Sequence, residues 1–275
     1  MFFTMLCAVL HGVLEGITEW LPISSTGHLI LLAGVFPLPL SAGAAALFEV
    51  TVQIGAILAV SVLYRQRLLP LGRACRAERR RAMVLWGRVM LATLPSAAVG
   101  LLLDDRIEAS LHTPLVVALA LVGFGILFLF VGKERKTGAL TAQAEALSVG
   151  KAFLVGVFQL LALVPGTSRS GATILGGLLL GLTATAAAEF SFFLGIPTML
   201  GAGLLRGVKF FAAGGTLSAI ELVVLVLGAV TAFLVSMAVI RFLLDFVRRH
   251  SFVPFGIYRI LLGAAVLALC FYKGF

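Results

Sequence analysis

Six stretches of this chain, at about 47–64, 84–102, 114–131, 187–208, 220–243 and 257–273, are long and apolar enough to cross a lipid bilayer. A crossing helix needs roughly 20 mostly apolar residues, with a usual range of about 17–25. Composition agrees, with 61% hydrophobic residues, 12% charged residues and a mean hydropathy of +1.13; soluble proteins carry about 25% charged residues. A polytopic membrane protein is expected. The formal charge of +9 does not point to nucleic acid, because the basic residues crowd into short loops between apolar runs. Cys7, Cys75 and Cys270 are far apart and have no CxxC spacing, so neither a metal knot nor a disulfide framework is indicated. The first residues have no basic n-region or cleavage site, and no removable signal peptide is expected.

Two polar strings, PISSTGH at 22–28 and PGTSRSG at 165–171, interrupt the apolar sequence. Each separates two apolar pieces too short to cross, 2–14 from 26–36 and 150–164 from 171–182. Unwound backbone at membrane depth survives only where protein buries it or where it lines a polar cavity, so each pair reads as a re-entrant hairpin. The basic loop at 65–81 is assigned to the cytoplasm. Alternation then puts 104–112 outside and the basic segments 132–138 and 245–251 inside, with Arg206 and Lys209 as exceptions outside.

The halves also resemble each other. GVLEG…LPISSTGH at 12–28 aligns with GVFQL…VPGTSRSG at 156–171, and Glu49 and Gly55 align with Glu189 and Gly195. With the hairpins entering from opposite faces, this reads as an inverted repeat, an arrangement that places a site at the repeat interface. The expected fold is therefore an all-α membrane protein with six transmembrane helices and two oppositely oriented re-entrant helical hairpins in an inverted-topology repeat. It forms one domain over 1–275, with halves of about 1–131 and 150–275.

Glu15 and Glu19, at i and i+4, stack on one helix face. A solvated edge is the plain explanation, but ionisable residues in membrane segments mark function by default. Two adjacent carboxylates imply a divalent metal, Arg169 or a shared proton between them. Mg²⁺ suits one or two carboxylates together with phosphate oxygens, and Ca²⁺ is the alternative cation.

Ser24, Ser25, Thr26, Gly27 and His28 precede one helical run, and Thr167, Ser168, Arg169, Ser170 and Gly171 open another. Such residues are ordinary N-caps, yet two helix N-termini also make a ready site for phosphate. The planar fork of Arg169 suits phosphate oxygens, or it neutralises a glutamate. Ser25 and His28 have the composition of a nucleophile and its base. Spacing leaves a phosphohistidine or a metal-activated water open, with Ser25 favoured. His11, His112 and His250 lack polar company and read as structural.

With Glu15-x-x-x-Glu19, PISSTGH and PGTSRSGATI in view, the chain resembles the undecaprenyl-diphosphate phosphatases of the bacitracin-resistance type almost end to end, including FEVTVQIGAILAV at 48–60, EFSFFLGIP at 189–197 and FVPFGIYR at 252–259. Trp20 and Thr167 are mild departures. The resemblance implies a bacterial inner-membrane hydrolase, dependent on a divalent cation, that removes the terminal phosphate of undecaprenyl diphosphate. The product is the lipid carrier for peptidoglycan. The resemblance also implies essential roles for Glu15, Glu19, Ser25, His28 and Arg169, and a site open to the periplasm. The expected partners are the polyprenyl diphosphate lipid and the surrounding membrane lipids; a homodimer stays open. A carrier moving a polyprenyl phosphate between leaflets is the rival, but paired carboxylates beside Ser-x-x-His favour chemistry.

Overall fold

The computed structural model describes residues 2–70, 75–111, 113–132 and 143–273, and every regular element among them is helical. The helices are α1 (Phe2–Thr18), α2 (Ser25–Val35), α3 (Ala42–Leu63), α4 (Arg65–Leu68), α5 (Arg76–Leu111), α6 (Pro114–Val131), α7 (Val149–Gln159), α8 (Arg169–Leu179), α9 (Ala184–Ala212), α10 (Ala219–Arg249) and α11 (Val253–Lys273). Short 3-10 turns occupy Ala144–Ala146 and Leu160–Leu163. Six helices among the described residues are long and apolar enough to cross a membrane, and each expected apolar stretch overlaps one of them. The polar strings fall at the breaks between α1 and α2 and between α7 and α8.

The helices run further than hydropathy suggests. Arg76–Arg81, expected in a loop, begin α5, where the Glu78 carboxylate accepts a 2.8 Å hydrogen bond from the Cys75 N–H. The same helix continues to Leu111, and α10 carries Arg248 and Arg249 in its last turn. Arg and Glu are good helix formers, and basic side chains favour a helix C-terminus. Hydropathy marks where a helix meets lipid, not where it stops. The basic segment at 133–138 and His112 lie outside the described residues.

Helix starts follow local chemistry. The hydroxyls of Ser41, Thr113, Ser148, Thr183 and Ser218 each accept from a backbone N–H three residues on, and Ser218 with Glu221 forms a full capping box. Each such cap is worth about 1 kcal/mol.

Packing then assembles the bundle. α10 lies against α1 and α3, α9 against α3, α5 and α8, α7 against α5 and α8, and α11 along α6. At several crossings backbones approach so closely that a Cβ would collide; among them, Gly55 faces the Ala229 carbonyl and Gly156 faces the Ala92 carbonyl. The core contains Trp20, fully buried and edge-on to Phe192 at 5.2 Å, with Phe190 and Phe193 beside it. Many large apolar side chains face outward, Leu102, Phe130, Leu204 and Phe271 among them. An apolar exterior of this kind fits lipid, because soluble monomers rarely expose contiguous apolar patches above a few hundred Å². The chain is a multi-pass membrane protein.

Candidate active site

Each polar string contains a serine with positive φ, Ser24 at 71° and Ser168 at 70°, directly before the first residue of a helix. Non-glycine residues in sparsely populated backbone regions cost about 1–3 kcal/mol and persist only where the surroundings over-determine them. Here the determining group is Arg259 of α11. It is 0% exposed, and its guanidinium donates to the carbonyls of Pro22 (3.1 Å), Gly166 (2.9 Å) and Thr167 (2.9 Å), so one side chain ties both strings together. Phe124 lies against its face at 5.4 Å. No carboxylate pairs with Arg259 among the described residues; carbonyl dipoles balance the charge.

The strings also clasp each other directly. The Ser170 hydroxyl donates to the carbonyls of Glu19 (2.9 Å) and Leu21 (3.2 Å). Arg169 forms a 2.7 Å ion pair with Glu19, donates to the carbonyl of Ser191, and lies over Trp20 at 5.7 Å. Thr173 donates to Ser191 Oγ at 2.7 Å, which steadies that partner. Gly195 makes the space, since a Cβ there would lie 2.8–2.9 Å from the guanidinium. Arg169, one of the three expected means of reconciling the glutamates, engages Glu19 directly.

The two serine caps differ. Ser168 accepts from Gly171 N–H at 3.1 Å, whereas Ser24 makes no side-chain cap and its buried hydroxyl is unpaired. The first turn of α2 therefore keeps amide donors that its own cap leaves unused. Gly27 packs tightly against Leu121 of α6, and Gly171 lies beside Arg259, so both glycines admit neighbours.

Ser25 and Thr26 line a cavity of about 660 Å³ together with Glu15, His11, Glu49, Gln53 and Arg206, and with apolar residues of α2 and α3. Glu15 is 1% exposed, and its Oε1 has no hydrogen-bond partner. His28 turns elsewhere. Its Nδ1 contacts the Ser24 carbonyl at 2.7 Å and must carry the proton, so Nε2 accepts from the Tyr258 hydroxyl at 2.7 Å. The two rings stack at 5.5 Å. The structure thus brings Ser25, Thr26 and Glu15 to one cavity, clasps Glu19 to Arg169 beside it, and leaves Ser25 and His28 without a mutual hydrogen bond. Another cavity, of about 740 Å³, lies among Arg76, Arg80, Arg81 and Glu145 and contains no residue of either string.

Among the described residues no three His, Cys, Asp or Glu side chains form a ready metal cluster. A hard cation completing its shell with phosphate oxygens needs only one or two carboxylates. The orphaned Glu15 oxygen fits that requirement, while Glu19 is already engaged by Arg169. Arg259, Glu49, Gln53 and Arg206 were not among the residues singled out from sequence as the site. An unpaired arginine in the apolar run at 257–273 was the available signal.

A bundle of apolar helices that buries a carboxylate–guanidinium pair near a cavity lined by Glu15, Ser25, Thr26 and Glu49 among apolar side chains defines a multi-pass membrane protein with a candidate site among its helices. The family model described as bacitracin resistance protein BacA matches residues 8–265, and the chain belongs to that family. Its relatives include the undecaprenyl-diphosphatase of Streptococcus thermophilus (strain ATCC BAA-250 / LMG 18311), 48% identical over 266 residues, covering 96% of this chain and 92% of the relative. That of Enterococcus faecalis is 44% identical over 272 residues, 98% of each chain. That of Lactiplantibacillus plantarum is 47% identical over 264 residues, 94% of this chain and 95% of the relative.

Proposed function

We propose that this protein hydrolyses undecaprenyl diphosphate to undecaprenyl phosphate and inorganic phosphate, recycling the lipid carrier used in peptidoglycan synthesis. The observation that carries this is the convergence of both polar strings on one site, in a chain whose near-full-length relatives are undecaprenyl-diphosphatases. Those relatives favour hydrolysis over the carrier reading.

Ser25 Oγ attacks the terminal phosphorus in line, and the bond from phosphorus to the bridging oxygen breaks. Undecaprenyl phosphate departs, and water then opens the phosphoserine. Arg169 and the amides that open α2 stabilise the charge developing on the phosphoryl oxygens, the main contribution available in phosphoryl transfer. For His28 to take the Ser25 proton, its ring must turn away from Ser24 and Tyr258, at a cost of about 1 kcal/mol for each hydrogen bond given up. A divalent cation, Mg²⁺ or Ca²⁺, supplies Lewis-acid neutralisation of the diphosphate when bound, with Glu15 as its holder.

The finer architecture belongs to the same reading. The α1–α2 and α7–α8 pairs act as re-entrant hairpins of an inverted repeat. In support, exchanging the halves maps the α1–α10 contact onto α7–α5, α3–α10 onto α9–α5 and α2–α11 onto α8–α6. Ser25 and Arg169 then occupy the same first helical position in the two halves. The protein sits in the bacterial inner membrane with the cavity toward the periplasm.

The test is phosphate release from undecaprenyl diphosphate by purified protein in detergent. Ser25→Ala is expected to be inactive. Arg169→Ala should lose about 3 kcal/mol or more of transition-state stabilisation, at least a hundredfold in rate. Near-normal release by either variant would remove that residue from its role.

A further inference from the structure

The charges around the cavity do not balance. Glu19 is neutralised by Arg169 at 2.7 Å in a buried pair. Glu49 of α3 meets Arg206 of α9 at 3.3 Å, with side chains 58% and 29% exposed. Among the described residues Glu15 has no cationic partner of its own: Glu19, Glu49 and Arg169 are the charges that act on it, and its Oε1 is buried and unpaired. A buried carboxylate without compensation is costly, so a cation or a proton must join it.

Glu15 and Glu49 line the same cavity, and so does Gln53, one helical turn beyond Glu49 on the same face of α3. The three supply two carboxylates and an amide carbonyl, all hard oxygen donors of the kind that hold Mg²⁺ or Mn²⁺ when phosphate oxygens fill the remaining positions. Resting on the phosphatase reading, we infer that the divalent cation is held between α1 and α3 by Glu15, Glu49 and Gln53, rather than by Glu15 and Glu19, and that Arg206 competes with it for Glu49. The relative strengths of the two ion pairs decide the assignment. The Glu19–Arg169 pair is short, buried and reinforced by Ser191, so a cation does not displace it cheaply. The Glu49–Arg206 pair is long and half-exposed, and pairs of that kind hold weakly. A divalent ion exchanges with Arg206 far more easily than with Arg169. Binding it also changes the sum of the five named charges from −1 to +1, the sign that suits a diphosphate.

The experiment is a Mn²⁺ titration of the purified, metal-stripped protein in detergent without substrate, read from the electron paramagnetic resonance signal of free Mn²⁺. Glu15→Gln and Glu49→Gln are each expected to weaken binding by at least about tenfold, since even second-layer partners of metal ligands cost about 10–100-fold. Arg206→Gln should tighten binding, because it removes the competitor without touching a ligand. Glu189→Gln, whose carboxylate instead meets Arg67 at 2.8 Å, should leave the titration unchanged. A Glu49→Gln variant that binds like the parent, an Arg206→Gln variant that binds more weakly, or a parent that binds no Mn²⁺ would overturn the assignment. Phosphate release by the parent, measured separately, tests the phosphatase reading: an inactive parent counts against that reading, while the Mn²⁺ titration alone decides the cation site.

Discussion

Arg169 owes its position to a residue that carries no side chain. A Cβ on Gly195 would lie within 2.9 Å of the guanidinium carbon, closer than real Cβ atoms approach their neighbours. The arginine cannot simply retreat, because Glu19 and Ser191 hold its two terminal nitrogens. Gly195→Ala is therefore expected to fold, as a small change within a helix, but to displace the guanidinium. On the proposed role of Arg169, misplacing its guanidinium by about 1 Å can cost about a hundredfold, so kcat should fall by about tenfold to a hundredfold with little change in thermal unfolding. Parallel kinetics and melting curves check this, and a parent-like kcat would mean that Arg169 tolerates the shift. At this scale much was legible from sequence: the weight given to Glu15, Glu19, Ser25 and Arg169 came from polar chemistry misplaced in apolar segments. The direction of the His28 ring was not, because Tyr258 lies 230 positions away.

At the scale of elements, the breaks between α1 and α2 and between α7 and α8 are held by α11 through Arg259. Replacing Arg259 by Met strips three buried carbonyls of their donor. Unsatisfied buried polar groups cost about 1–3 kcal/mol each, so a loss of about 3 kcal/mol or more in stability is expected, together with most activity. Lys at the same position keeps the charge and should recover part of both. Thermal unfolding in detergent and phosphate release on the two variants decide it, and equal behaviour of Met and Lys would reduce Arg259 to packing volume. The six crossing helices were legible because apolar runs of their length have few other uses. Their ends at 76–83 and 244–249 were not, because Arg-rich segments are as willing to be helical as to be loop. The strut itself escaped notice because its partners are backbone carbonyls, which leave no mark in a sequence.

Across the whole molecule, the helices of one half pack largely on those of the other: α1 and α3 on α10, α7 on α5, α11 on α6. Neither half buries most of its apolar faces by itself, so fragments 1–138 and 139–275 should each be inactive alone and regain phosphate release when co-expressed. Activity in a single fragment would contradict that packing. The repeated strings suggested two halves, but not which helix meets which, since burial on all sides gives an apolar run little direction. The strut from α11 adds a constraint on timing. Pro22 emerges from the ribosome early, and its carbonyl must wait for a guanidinium made 237 residues later. The two strings are joined from the far end of the chain, so a nascent or truncated protein that has not reached Arg259 holds Ser25 and Arg169 in segments that this guanidinium does not yet align.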